Sequence, residues 1–420
     1  MQNTPKSLRL HITLFGRTNV GKSSLLNLLA GQDVSIVSPE PGTTTDLVEK
    51  PMELLPIGPI VLLDTAGLDD QTVLSTERLK KTEEAYHRTD VILLVCENNH
   101  FDAFERHVIE RAADGGIPVI AVVNKTDIAP PDATFLALLE EQTAAVITCA
   151  ATDTQQREPL LAELKRALLE ICPEDFLRPP PLVGDLLPAA GLAILIIPID
   201  LQAPKGRLIL PQVQTIRDTL DHDAAALVVK EREYAATLQR LNKPPDLVIC
   251  DSQVVMKMVA DTPPGIPCTT FSILLARLKG DLAKFARGAA AIDQLKSGDR
   301  ILIAESCSHH AMEDDIGRVK IPRWLRQYTG ADLTFESFAG RDFPANLCDY
   351  ALVVQCGGCM NNRREMLSRI QRCEAANVPI TNYGVCISQT QGVLRRVLSP
   401  FPSALDAYLN ETQQDKESTL

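Results

Sequence analysis

The stretch Leu8-Arg-Leu-His-Ile-Thr-Leu-Phe15, running straight into Gly16-Arg-Thr-Asn-Val-Gly-Lys-Ser23, decides the fold of the first part of this chain. Leu8 to Phe15 reads as a strand, and Ser23 to Leu29 opens a helix. Between them lies G-x-x-x-x-G-K-S, the loop that cradles phosphates when it joins a strand to a helix. Gly16 and Gly21 let the backbone curl so that its N–H groups face the phosphates. Lys22 supplies a point charge to the β and γ phosphates, and the Ser23 hydroxyl can ligate Mg²⁺.

Three further motifs follow in order. Val61-Leu-Leu-Asp64-Thr-Ala-Gly67 is an apolar strand ending in an acid; Asp64 can hold Mg²⁺ through water, and the Gly67 N–H can sense a γ-phosphate. Val119-Ile-Ala-Val-Val-Asn124-Lys-Thr-Asp127 is a second buried strand, ending in Asn-Lys-x-Asp. The Asp127 carboxylate can accept two hydrogen bonds from a guanine edge. Adenine cannot supply them, and a buried acceptor left unpaired costs about 1–3 kcal/mol, so the pattern selects GTP. Pro41-Gly-Thr-Thr-Thr-Asp46 reads as a mobile loop whose Thr44 suits the second Mg²⁺ ligand, and Thr148-Cys-Ala150 would pack on the base. The expected nucleotide contacts are Gly16, Arg17, Thr18, Asn19, Val20, Gly21, Lys22, Ser23, Ser24, Asp64, Thr65, Ala66, Gly67, Asn124, Lys125, Asp127, Cys149 and Ala150. Lys22, Thr44, Asp64 and Gly67 are those expected to act in hydrolysis, and Ser23 and Thr44 those expected on the metal.

Composition bounds the rest. The 420 residues exceed one core and suit two or three domains. Apolar residues make up 45% and charged residues 23%, the ordinary globular range. No apolar run is long enough for a membrane span and no secretory signal is evident, so a cytoplasmic protein is expected. A net charge of −12 argues against a broad nucleic-acid footprint. The eleven cysteines of a large chain in a reduced compartment are not a disulfide framework, and most are expected to be small buried apolar residues. Cys96, Cys149 and Cys250 end apolar runs and read as buried small residues.

Pro173 to Pro188, with Arg178-Pro-Pro-Pro181, reads as a linker after the helix Glu158 to Ile171. Then strand (Gly191 to Ile199), helix (Pro211 to Leu220), strand (Ala224 to Val229), helix (Glu231 to Leu241) and strand (Pro245 to Cys250) alternate, the signature of a small parallel α/β unit. The first of these strands is expected in the centre of its sheet rather than at an edge. From Pro267 the pattern continues with helix Ser272 to Leu295 and strands Arg300 to Ala304 and Tyr350 to Val354. Both strands run into cysteine motifs, Cys307-Ser-His309 and Cys356-Gly-Gly-Cys359.

Neighbouring parallel strands would bring these cysteines together at their C-terminal ends, where open α/β sheets place ligands. A helix starting near Asn361 would aim its positive end at them. Three thiolates fit an iron–sulfur cluster or zinc. His309, Asp314 and Glu313 are further candidate ligands. Cys348, Cys373 and Cys386 read as structural thiols.

On its Gly16–Ser23, Asp64–Gly67 and Asn124–Asp127 motifs, the first domain resembles the Era/TrmE branch of GTPases over roughly residues 1 to 170. The resemblance implies that Asn19 helps bind K⁺. Leu68, standing where Ras-like proteins carry glutamine, implies slow turnover accelerated by potassium. Cys149 replaces the branch's usual serine. Taken with C-x-H followed some fifty residues later by C-x-x-C, the whole chain resembles the FeFe-hydrogenase maturation GTPases, the HydF family.

That resemblance implies an α/β chain with a GTPase domain (1–172), a dimerisation domain (182–264) and a cluster-binding domain (265–410), the last two with largely parallel sheets. It implies GTP, Mg²⁺ and K⁺, and a 4Fe–4S cluster on Cys307, Cys356 and Cys359 with an exchangeable fourth position. It also implies a diiron precursor as cargo, radical SAM enzymes and apo-hydrogenase as partners, a homodimer or larger assembly, and no nucleic acid or membrane. Gln355 stands where many members have histidine, which points to an open fourth site. Two other functions compete: an Era-like RNA or ribosome-assembly GTPase with a zinc module, and a redox switch in which C-x-x-C forms a disulfide.

Overall fold

A computed structural model describes residues 4–32, 48–65, 76–172, 176, 180–198, 208–306, 315–340, 343–344 and 346–418, with 76–81 and 414–418 as backbone alone. The chain divides into two compact units, 1–179 and 180–420.

In the first unit, β1 (Leu10–Gly16), β2 (Val48–Leu54), β3 (Gly58–Asp64), β4 (Val91–Glu97), β5 (Val119–Asn124) and β6 (Ala145–Thr148) form one sheet in the order β2-β3-β1-β4-β5-β6. Only β2 runs antiparallel to its neighbour. The strands are apolar on both faces because both faces are covered. Along β5, Ile120 and Val122 enter the core shared with α1 (Lys22–Ala30) and α5 (Arg157–Ile171), while Val119, Ala121 and Val123 enter the core under α3 (Ala103–Asp114) and α4 (Ala133–Gln142). Helix α2 (Thr76–Arg88) leads into β4. The first strand begins two residues later than expected, because Lys6–Leu8 makes a 3₁₀ turn. Thr44, Ala66, Gly67 and Leu68 lie outside the described residues.

The second unit holds two four-stranded sheets, each wholly parallel. One is β7 (Leu192–Ile196), β8 (Ala225–Val229), β9 (Leu247–Cys250) and β10 (Cys268–Thr270), in the order β10-β9-β7-β8. The apolar run expected in the centre is there: β7 pairs with β8 on one side and β9 on the other. The edge belongs to β8, whose Val228 is 45% exposed. Because β10 pairs with β9, this sheet extends past the boundary expected after residue 264.

The other sheet is β11 (Arg300–Ala304), β12 (Thr334–Phe338), β13 (Leu352–Gln355) and β14 (Ile380–Asn382), in the order β12-β11-β13-β14. A single apolar core runs beneath both sheets, from Ile194 and Val248 through Leu274 and Phe285 to Leu302 and Val353.

One expected helix is two. The run Ser272 to Leu295 splits into Phe271–Lys279 and Leu282–Ala290, followed by a 3₁₀ turn at Ala291–Gln294. Gly280 leaves the helical region at φ −123°, ψ −142°, and the Asp281 side chain caps the new helix by accepting from the Lys284 N–H. An apolar period carries through such a break, so the cap is the only sequence sign of it.

Candidate functional site

The nucleotide loop joins β1 to α1 as its sequence requires. Gly21 takes φ +98°. A Cβ there would lie 2.2 Å from Asn124 Nδ2, so both its conformation and the close approach demand glycine. Lys22 is 6% exposed, and its ammonium donates to Gly16 O (2.9 Å) and Arg17 O (2.7 Å) across the loop. Ser23 Oγ donates to Asp64 Oδ2 at 2.7 Å, so the two groups expected around a divalent cation converge from different elements. Thr65 is tied to β1 by its hydroxyl, which donates to Leu14 O at 2.6 Å.

Asn124 is the keystone of the base-side loops. It is 2% exposed; its Nδ2 donates to Val20 O (2.9 Å), and its Oδ1 accepts from Ala151 N (2.9 Å) and the Cys149 thiol (3.7 Å). Lys125 takes φ +63° and pairs with Glu97 at 3.0 Å. Asp127 stands exposed beside them. Ala150 N donates to Gln156 Oε1 at 2.8 Å, which fixes the last base-side loop. Sequence reading missed one bond set here: Arg17 turns away from the loop to pair with Glu105 (2.8 Å) and Asp102 at the start of α3. Asn19, at φ +62°, Thr18, Val20 and Ser24 complete the turn into the helix.

At the other site, β11 and β13 are parallel neighbours with Ala304 opposite Gln355, and Cys356 N donates to Ala304 O at 2.8 Å. Their C-terminal ends therefore lie side by side, and β13 leads directly into Cys356. Cys307, His309, Glu313 and Asp314 lie outside the described residues. Among the described residues no three His, Cys, Asp or Glu side chains cluster at metal-binding distance, since only Cys356 and Cys359 of the expected set are described.

Polar groups surround both of these thiols. Ser306 N–H donates to Cys356 Sγ at 3.1 Å, the Ser306 hydroxyl lies 3.1 Å from it, and Gln355 Nε2 is 3.5 Å away. Burial, joined by the neighbouring Cys356, raises the Cys359 thiol above its ordinary value, with Lys279 and the backbone N–H groups of Cys359 and Met360 acting against that rise. Gly358 turns the loop at φ +63°, with Met366 Cε 2.3 Å from where a Cβ would sit. The helix Arg363–Ala375 begins there, its first turn capped by Asn362, which accepts from Glu365 N at 3.0 Å.

Gln355 is fully buried, and its Oε1 accepts from Arg369 at 3.1 Å. It is thus a fixed hydrogen-bond donor beside Cys356. The amide of Asn361, 3% exposed, has a Nδ2 that finds no partner among the described residues.

The residue that sequence reading overlooked is Lys279. It ends the helix Phe271–Lys279, is 2% exposed, and donates to Gly358 O (2.8 Å), Asn361 O (3.0 Å) and Cys359 O (3.3 Å). Burial brings its pKa down to about 8, while Cys359, Cys356 and Glu365 act to raise it. The signal in the sequence was faint: Ser272 and Lys279 are polar positions seven apart, hence on one face, in a helical run whose one other polar residue is Arg277.

Fold and sites define the class: a P-loop GTPase domain joined to a two-sheet parallel α/β unit that carries a Cys-x-x-Cys loop at its strand ends. The GTPase domain matches the model of the 50S ribosome-binding GTPases over residues 11–125. Residues 182–280 match the hydrogen maturase F dimerization domain, and residues 283–400 its tetramerization domain. The chain belongs to the hydrogen maturase F family, whose dimerization and tetramerization domains support a homo-oligomer.

Curated relatives match the GTPase part. The tRNA modification GTPase MnmE of Methylococcus capsulatus is 36% identical over 144 residues, 34% of this chain and 31% of the relative. GTPase Der of Deinococcus deserti is 35% identical over 133 residues, 31% and 30%. This chain thus spans about a third of the length of the curated relatives it matches. Among solved structures, Aquifex aeolicus Era bound to GDP and AlF₄⁻ is 20% identical, with a TM-score of 0.35, covering 55% of this chain and 98% of that one. No helix among the described residues is long and apolar enough to cross a membrane.

Proposed function

We propose that this chain is a GTP-hydrolysing scaffold that receives the diiron precursor of the FeFe-hydrogenase active site and delivers it to the apo-enzyme. The observation that carries the reading is the Cys356–Cys359 loop at the end of β13, beside the end of β11, with Ser306 N–H directed at Cys356 Sγ. N–H···S bonds to thiolates are a means by which proteins tune iron–sulfur sites. Cys307, Cys356 and Cys359 would hold a 4Fe–4S cluster. His309 and Asp314 are candidates for its fourth position, which Gln355 leaves open because its carboxamide is already bonded to Arg369. The bound cluster would supply an iron atom with an exchangeable site for cargo.

In the GTPase domain, Lys22 and the loop N–H groups would bind the phosphates, and Ser23, Thr44 and Asp64 would surround Mg²⁺. Gly67 would sense the γ-phosphate. Asp127 would read guanine, with Asn124 holding the three base-side loops in register and Cys149 and Ala150 flooring the base. Asn19 would contribute to K⁺ binding. The nucleotide state would act as a switch on partner binding or release. Radical SAM enzymes would be the suppliers of cargo, and the homo-oligomer the working form, in the cytoplasm.

Anaerobic purification followed by metal and sulfide analysis tests the scaffold. A brown protein with iron and acid-labile sulfide supports it. Zinc would support the RNA-GTPase alternative instead, and metal-free protein a thiol switch.

A further inference from the structure

Among the described cations near the cysteine loop, two are held in ion pairs. Arg318 pairs with Glu305 at 3.1 Å, and Arg369 with Glu365 at 3.3 Å. Lys279 has no ion pair among the described residues, although it is 2% exposed. A buried ammonium without a carboxylate is costly, and a methionine would fill the same space at no such cost. All three of its protons are used on carbonyls that bracket Cys359, namely Gly358, Cys359 and Asn361. Its helix also supplies Ser272 and Leu275 beneath Gly357, each 3.9 Å from where a Cβ on that glycine would sit.

We propose that Lys279 is the positioning residue of the cysteine site: it fixes the Cys356–Cys359 loop through three carbonyls and stands as a counter-charge to an anionic metal–thiolate centre. This rests on the reading that Cys356 and Cys359 are metal ligands. Carbonyl anchoring alone needs only donors, which a neutral amide can offer. The positive charge is needed only if the loop holds net negative charge, and one-electron reduction of a cluster adds one more. Lys279 therefore favours the reduced form.

The test uses the full-length chain, reconstituted anaerobically with ferrous iron and sulfide, as wild type, Lys279→Gln and Lys279→Met. Lys279→Gln keeps donors and loses the charge; Lys279→Met loses both. The readouts are iron per chain, the midpoint potential, and GTP turnover by the same full-length proteins as a check on integrity.

Lys279→Gln is expected to retain iron but to lower the reduced-to-oxidised ratio at fixed potential at least tenfold, about 59 mV for one electron. Lys279→Met is expected to show the same shift with tenfold or greater loss of iron affinity, the size typical of groups that orient metal ligands. Should one variant fail to fold, the other carries the potential measurement. A wild-type potential in Lys279→Gln overturns the charge role, and wild-type iron retention in Lys279→Met overturns the anchoring role. If the wild type binds zinc and no iron, the function proposed above fails while the inference remains testable: equal zinc affinity in all three proteins overturns it, and a tenfold loss upholds it. A wild type that takes neither metal overturns both.

Discussion

Asn124→Ala is the substitution whose consequence can be worked most fully from the structure. The side chain joins three loops through Val20 O, Ala151 N and the Cys149 thiol while 2% exposed. Truncation orphans one buried carbonyl and one buried N–H, each at about 1–3 kcal/mol. The weak thiol bond adds little. Water entering the vacated space recovers part of this, so the net cost is roughly 2–4 kcal/mol. Since the three loops face the expected base site, that cost falls on the binding-competent form. At about 1.4 kcal/mol per decade it corresponds to a roughly 30- to 1000-fold rise in the Kd for a fluorescent GDP analogue. Cys149→Ser is the control: it replaces a 3.7 Å thiol donor by a hydroxyl and should stay within about 0.5 kcal/mol. Titration of both variants, with circular dichroism to confirm that each is folded, decides the matter. An Asn124→Ala protein binding within threefold of wild type would refute the keystone role.

Further expectations follow from the two sites. Lys22→Ala and Asp127→Ala should each remove GTP turnover by at least a hundredfold while leaving iron per chain unchanged, measured on the same reconstituted samples; loss of iron would overturn the modular reading. Gly358→Val places a branched side chain at φ +63° and against Met366 Cε, costing about 2 kcal/mol or more locally, so iron per chain should fall although the thiols remain. The buried thiols of Cys373 and Cys386 are pushed up from 9.0 to about 12 by burial. A raised folded-state value means that their contribution is complete below pH 9 and is lost as pH climbs toward 12. Tm should fall over that window, and more shallowly in a Cys373→Ala/Cys386→Ala variant; parallel slopes would count against this cause.

The GTPase half was legible because each of its motifs is local. Strand, loop and helix are consecutive at Leu10–Ala30, and Asp64 and Asn124 each end an apolar strand whose period and neighbours leave no choice of face. The adjacency of β11 and β13 was readable for the same reason, from two apolar strands ending in cysteines. What escaped reading depends on residues far apart in the chain. Arg17 meets Glu105 across 88 positions, Lys279 reaches Gly358 across 79, and β10 joins a sheet through three residues too few to show a period. The broken helix at Gly280 was hidden because Leu282, Phe285 and Ala286 continue the apolar stripe on the far side of the cap.

The helix Phe271–Lys279 starts at Thr270, the last residue of β10, whose hydroxyl accepts from Ile273 N at 3.2 Å, and it ends at the ammonium gripping the cysteine loop. Nine residues at 1.5 Å each make a strut of about 13 Å. Being buried along most of its length, it can transmit a push but cannot absorb one. It runs from the sheet that carries the dimerization-domain match to the carbonyls around Cys359.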